Sequence, residues 1–259
     1  MNYDDQIIIN PNVVLDHIEK MNYDDQIIIN PNVVFYHIEK CMGSSIEIML
    51  YNYFINIYPE KDIFIPEKNN YKHFCLEEKY YFEKNNFKVI LSHISFNEKY
   101  LTSLFSETSL SITSVRNPIE RIISHYYYFD YKKYNKCMHM LNDNEIKEYL
   151  VLSNIILWRL SGNTNNLTIA KQNLKQINCI LIMDIFNDEK TFFENYLNNK
   201  FKSINTLIKL HYNKTEYNEI IGFNKEKDIE IILNNQNLII DEIELYNYIL
   251  NMTIEERFK

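Results

Sequence analysis

The sequence predicts an α/β fold, a mainly parallel central sheet flanked by helices, and three observations carry the prediction. Short apolar runs rich in β-branched residues recur along the chain, helical stretches separate them, and two of the runs end in turns that open helices. The runs are Val33 to Ile38, Phe87 to Leu91, Leu110 to Val115 and Ile177 to Met183. With 259 residues and 46% hydrophobic content, the chain can bury one substantial core.

Taken in order, the first element is a duplication. Met1 to Lys20 repeats as Met21 to Lys40, differing only where Leu15-Asp16 becomes Phe35-Tyr36. Only the second copy continues into a glycine and a helix, so residues 1–20 are expected to be peripheral or disordered and 21–259 to form a single domain. The other possibility is that the first copy adds an edge strand or swaps between chains.

The run Val33 to Ile38 leads through Glu39-Lys40-Cys41-Met42-Gly43 into Ser44-Ser45, after which Ile46, Met49, Leu50 and Tyr53 recur with helical spacing. This is a tight strand-to-helix join. Gly43 lets backbone amides approach an anion, Ser44 and Ser45 add hydroxyls, and Lys40 brings a positive charge to the same rim. An ordinary helix start, with Ser44 as the cap and Lys40 in solvent, fits the same letters.

The second join has the same grammar. Ser109 to Val115 alternates as a strand, Arg116 ends it, and Asn117-Pro118 supplies a cap followed by proline at the first helical position. Ser124 lies about 10 Å further along that helix, within reach of a long guanidinium sharing one phosphate. Alternatively, Arg116 pairs with Glu120 and the Ser124 hydroxyl bonds back to the preceding turn. Tyr126 to Tyr128 follow, where helical spacing makes core packing the default and stacking on a sugar or adenine ring the alternative. Later stretches, Glu189 to Leu197, Lys225 to Leu233 and Asp241 to Leu250, read as amphipathic helices.

These segments resemble a known family. Lys40 to Ser45 with its preceding strand is similar to the "HIPKTGGTS" phosphosulfate loop of the Golgi-type carbohydrate sulfotransferases, and Arg116 to Tyr128 to their "RDPIERLISHYYY" segment. Leu91 to Phe96 resembles their "GHxxF" segment, Leu157 to Gly162 a weaker block, and His211 to Thr215 a late loop that closes over the nucleotide. The flavour is that of the uronyl and heparan sulfate 2-O-sulfotransferases. The likeness spans roughly residues 31 to 250 and departs at Glu39, Cys41 and Met42, where the family has proline, threonine and glycine.

The resemblance implies a P-loop-NTPase-like sulfotransferase fold and a specific chemistry. The donor would be 3′-phosphoadenosine 5′-phosphosulfate (PAPS), the product adenosine 3′,5′-bisphosphate (PAP), and the acceptor a hydroxyl, on a carbohydrate by family analogy. His93 would act as general base and Lys40 would stabilise the leaving phosphate. Gly43, Ser44 and Ser45 would cradle the phosphosulfate, Arg116 and Ser124 would hold the 3′-phosphate, and Lys214 and Thr215 would close the site. No metal enters this scheme, and Cys41, Cys75, Cys137 and Cys179 show no paired spacing for zinc.

Two other functions fit parts of the pattern. A P-loop phosphotransferase shares the strand-to-helix lysine, although the Walker order of glycine first and Gly-Lys-Ser/Thr last is missing, since Lys40 precedes Gly43. A nucleotide-binding protein without catalysis fits the altered loop. The formal charge of −8 argues against a nucleic-acid partner, although Lys132, Lys133 and Lys136 could form a local basic patch or a solvated helix end. No stretch is long and apolar enough for a membrane span, so the chain as given is expected to be cytoplasmic, or in the Golgi lumen if an anchor belongs to it.

Overall fold

The computed structural model describes residues 32–65, 87–92, 109–203, 217 and 220–259. Five parallel strands form one sheet in the order β2-β3-β1-β4-β5: β1 is Val33–Tyr36, β2 Ile63–Phe64, β3 Val89–Ser92, β4 Leu110–Val115 and β5 Cys179–Ile182. The helices are α1 (Gly43–Phe54), α2 (Pro118–His125), α3 (Tyr131–Tyr134), α4 (Asp143–Leu152), α5 (Ile155–Leu160), α6 (Leu167–Leu174), α7 (Phe186–Phe201), α8 (Lys225–Asn234), α9 (Ile240–Leu250) and α10 (Ile254–Arg257). The predicted parallel α/β architecture is what forms. Each predicted strand is present: β4 matches its predicted span, β1 and β5 are shorter than theirs, and β3 starts two residues later and ends one residue further on, at Ser92. The two-residue edge strand β2 has no counterpart among the predicted runs.

Alternation along each strand sorts its side chains into two layers, as a pleat must. Val33 and Phe35 of β1, Val89 and Leu91 of β3, Leu110 and Ile112 of β4, and Cys179 and Leu181 of β5 face α1 and α7 in one apolar cluster. Val34, Tyr36, Ile90, Val115, Ile180 and Ile182 face the opposite way, onto α5, α6 and α9. A third cluster lies beside the sheet, where Ile122, Tyr126 and Tyr127 pack on α4 and α8.

β1 sits at the centre, paired with β3 on one side and β4 on the other, with Tyr36 in register with both Ser92 and Thr113. The carboxyl ends of three strands therefore emerge on the same edge. In an open parallel sheet this edge is where helices begin and ligands gather.

A buried ion pair ties the flanking helices together. Arg121 of α2 donates through Nε to Glu242 of α9 at 3.1 Å, and Glu242 Oε2 accepts the backbone N–H of Ile156 at 3.0 Å. Arg121 also donates to the Ser153 carbonyl. One carboxylate thereby pairs with the guanidinium and accepts from the open amino end of α5 together. Among the described residues no helix is long and apolar enough to cross a membrane.

Candidate active site

The turn after β1 runs from His37 to Met42, and its backbone is unusual. Lys40 and Met42 both occupy the left-handed region, with φ of 61° and 57°. Non-glycine residues enter that region at a cost, so the surroundings must hold them there. β4 does part of this. The Ser114 hydroxyl donates to the Cys41 carbonyl at 2.9 Å, and the Thr113 hydroxyl to the Tyr36 carbonyl at 3.0 Å.

Met42, rather than Ser44, is the residue that caps α1. The Met42 side chain makes no capping hydrogen bond, and the first turn carries no acidic residue. The backbone of Gly43 and Ser44 thus opens α1 at its positive dipole end. Ser44 is exposed at this end while Ser45 is buried. Gly43 is needed for a reason the sequence did not show: a Cβ there would lie 1.6 Å from Cδ2 and 1.8 Å from Nε2 of His37. His37 is itself buried, with Nδ1 3.0 Å from Glu47 Oε1.

Lys40 projects from this turn toward the second one. Its ammonium lies 3.7 Å from the centroid of the Tyr128 ring. Burial, and then the nearby Arg116 guanidinium, pull the Lys40 pKa down to about 8. Two cations from different turns therefore share one region, and a bound anion would relieve their mutual repulsion.

The second turn is built as the sequence indicates. The Asn117 side chain accepts from the N–H groups of Ile119 at 3.0 Å and Glu120 at 3.3 Å, with Pro118 opening α2. Asp184, just beyond β5, accepts the Asn117 N–H at 2.9 Å and the Tyr246 hydroxyl at 2.7 Å, which pins the turn from the neighbouring strand. Arg116 does approach Glu120, at 3.6 Å, but the same carboxylate is held closer by Lys225, at 2.7 Å. Partly solvated pairs of this kind are weak and leave Arg116 available.

Ser124 is buried on α2, four residues before Tyr128. Its hydroxyl has no hydrogen-bond partner among the described residues, so it does not bond back to the preceding turn. With Lys40 against Tyr128 and beside Arg116, the structure brings Lys40, Arg116 and Tyr128 into one region.

The tyrosine run divides. Tyr126 and Tyr127 are core residues whose hydroxyls donate to the Lys136 carbonyl at 2.6 Å and to Asp228 at 2.7 Å, whereas Tyr128 is 62% exposed. Of the lysines beyond it, Lys136 pairs with Glu145 at 3.0 Å, and Lys132 and Lys133 sit in the last turn of α3.

Glu39 does not face the site as an unbalanced charge. Arg159 of α5 binds it with both Nε, at 3.2 Å from Oε2, and a terminal nitrogen. His93, Lys214 and Thr215 lie outside the described residues, as do Cys75 and the first copy of the duplication. Cys41, Cys137 and Cys179 are buried free thiols, and burial pushes the Cys41 thiol up to about 12. Among the described residues there is no group of three or more His, Cys, Asp or Glu able to hold a metal.

Sequence reasoning missed His37, Tyr128 as a partner of Lys40, Arg159 and Asp184. His37 had a usable signal, because it stands shortly before a glycine in a chain that has only 3. Arg159 and Asp184 had none, since their partners are 120 and 67 positions away.

No curated protein matches the chain. A family model does: the model described as "Sulfotransferase family" matches residues 25–245, which takes in both turns, every strand and the helices between them. With the match covering most of the sequence and the fold in agreement, the chain belongs to the sulfotransferase family.

Proposed function

We propose that this protein transfers a sulfuryl group from PAPS to an acceptor hydroxyl on a carbohydrate. The observation that carries this is the convergence of Lys40 and Arg116, from turns ending two adjacent parallel strands, beside the uncapped start of α1. Two cations held near each other, with open amides alongside, suit a ligand bearing two separated anionic groups.

In this assignment Lys40 and the amides of Gly43, Ser44 and Ser45 take the phosphosulfate, while Arg116 and the Ser124 hydroxyl take the 3′-phosphate. ATP lacks that 3′-phosphate and would leave Arg116 unmatched. Lys214 and Thr215 complete the donor site. The acceptor oxygen attacks sulfur, the bond from sulfur to the 5′-phosphate oxygen breaks, and the acceptor proton passes to His93. Lys40 stabilises the charge that builds on the departing phosphate. His93 follows directly after Ser92, the last residue of β3, in sequence.

The pairing of Glu39 with Arg159 supports a working loop over one that has lost its anion. Calorimetric titration with PAP and with ADP tests the donor class. PAP should bind at least about tenfold more tightly, and Arg116→Ala should remove that preference. Equal affinity for the two nucleotides in the unaltered protein would overturn the assignment. Transfer of labelled sulfate from PAPS to glycans, lost in His93→Ala with folding retained, tests the base.

A further inference from the structure

Tyr128 is the third of three consecutive tyrosines, yet its environment differs from the other two. The backbone from Tyr126 to Asp130 forms a π-helical turn between α2 and α3. Such a turn accommodates an extra residue and re-aims the side chains after it, and it recurs at functional sites. Tyr126 and Tyr127 remain buried, while Tyr128 and Phe129 stand 62% and 52% exposed with ring centroids 4.5 Å apart. An exposed aromatic ring on a helix needs no explanation by itself. This one carries the Lys40 ammonium 3.7 Å from its centroid.

We infer that Tyr128 is a positioning residue for the anion site: its ring holds the Lys40 ammonium beside Arg116 until an incoming phosphosulfate takes it over. The face of an aromatic ring carries partial negative charge and attracts a cation without neutralising it. A carboxylate in the same place would satisfy Lys40 and compete with the donor. The ring retains the charge in place and yields it readily.

The groups around Lys40 are consistent with this. Arg116 repels it from the turn after β4, and Arg116 is shared with Glu120, itself bound to Lys225. The neighbouring carboxylate on its own turn, Glu39, is committed to Arg159. Cys41 is held neutral by burial. Tyr128 is the contact that favours the charged lysine from the α2 side.

The inference rests on the donor assignment for the identity of the anion, and the test separates the two. Lysine labelled with carbon-13 at Cε, with Lys40 assigned from Lys40→Arg, gives the ionisation midpoint of Lys40 in the ligand-free protein. Tyr128→Leu should lower that midpoint by about 0.5 to 1 pH unit, because a contact favouring the charged form is gone. PAP affinity at neutral pH should fall about threefold to tenfold. Tyr128→Phe keeps the ring and should restore both values, which a merely structural role for the tyrosine hydroxyl would not allow. An unchanged midpoint in Tyr128→Leu, or a Tyr128→Phe protein as impaired as Tyr128→Leu, overturns the inference. If the unaltered protein fails to bind PAP while the midpoint still falls in Tyr128→Leu, the donor assignment fails and the role of Tyr128 stands.

Discussion

Gly43→Ala is the most direct probe of how the lysine-bearing turn is built. The new Cβ would sit 1.6, 1.8 and 2.4 Å from Cδ2, Nε2 and Cγ of His37, whereas ordinary contact begins at 3.4 Å. The imidazole would have to retreat by roughly 2 Å, well beyond the give of a packed interior. It has little freedom to do so. The ring is 5% exposed, stacks on Phe35 with centroids 5.9 Å apart, and lies 3.0 Å from the buried Glu47 carboxylate. Overpacking of this kind costs about 1–3 kcal/mol, and parting His37 from Glu47 moves the loss toward the upper end, about 2–3 kcal/mol. For a domain of this size the melting temperature should fall by about 4–12 °C. Thermal and urea unfolding measure it. In a His37→Ala background the obstructing ring is absent, so the same Gly43→Ala change should cost at least about 1 kcal/mol less. A Gly43→Ala protein that melts with the unaltered one, or an equal cost in both backgrounds, would refute the packing argument.

Three further outcomes follow from the same geometry. Arg159→Ala should weaken PAP binding measured by calorimetry by about threefold to tenfold, because it leaves the Glu39 carboxylate unpaired near the anion site, while Arg159→Ala with Glu39→Gln should recover most of the loss. Glu242→Ala strands the fully buried Arg121 guanidinium and the amino end of α5, and should cost about 3–5 kcal/mol in urea unfolding, more than Gly43→Ala. PAP affinity should hold steady below pH 8 and decline as pH rises through the Lys40 midpoint of about 8, with proton uptake on binding above it, because the anion favours the charged lysine. The sign for the fold is the reverse. Lys40 holds its proton less tightly folded than unfolded, so its contribution to stability improves as pH climbs from about 8 toward the ordinary lysine range.

The parts of this protein that were legible in the sequence are those set by local pattern. Val33 to Ile38 and Ile177 to Met183 announced buried strands because a parallel sheet covered on both faces favours apolar side chains on each of them. Asn117-Pro118 announced a helix start because both the cap and the fixed proline φ act within one turn. Ile63–Phe64 escaped because two residues carry no periodicity. Ser44 looked like the cap, yet the chain enters α1 earlier, through left-handed Met42, where Ser114 holds the loop from β4 and the His37 ring packs against Gly43. The π turn at Tyr126 to Asp130 was equally hidden, since it answers to where Tyr126 and Tyr127 must place their hydroxyls. Contacts such as Glu39 with Arg159 depend on strand order, which no local pattern records.

Strand order also explains how a chain of formal charge −8 can present the proposed anion site. β1 and β4 are neighbours, so the turns that follow them bring Lys40 and Arg116 together, and α5 and α8 contribute Arg159 and Lys225 to the same surroundings. Of the carboxylates beside these four cations, Glu39 and Glu120 are each bound by one of the outer pair, and Asp184 accepts from Asn117 and Tyr246. The inner pair is thus left to dominate the local field. Charges elsewhere on the surface count for little, because salt screens them beyond about 8–10 Å. A glutamate at position 39 therefore need not lower the anion affinity proposed for the turn, provided Arg159 is present. That glutamate makes the site depend on a residue of another helix, and a homologue with the glutamate but without the arginine should bind the donor poorly.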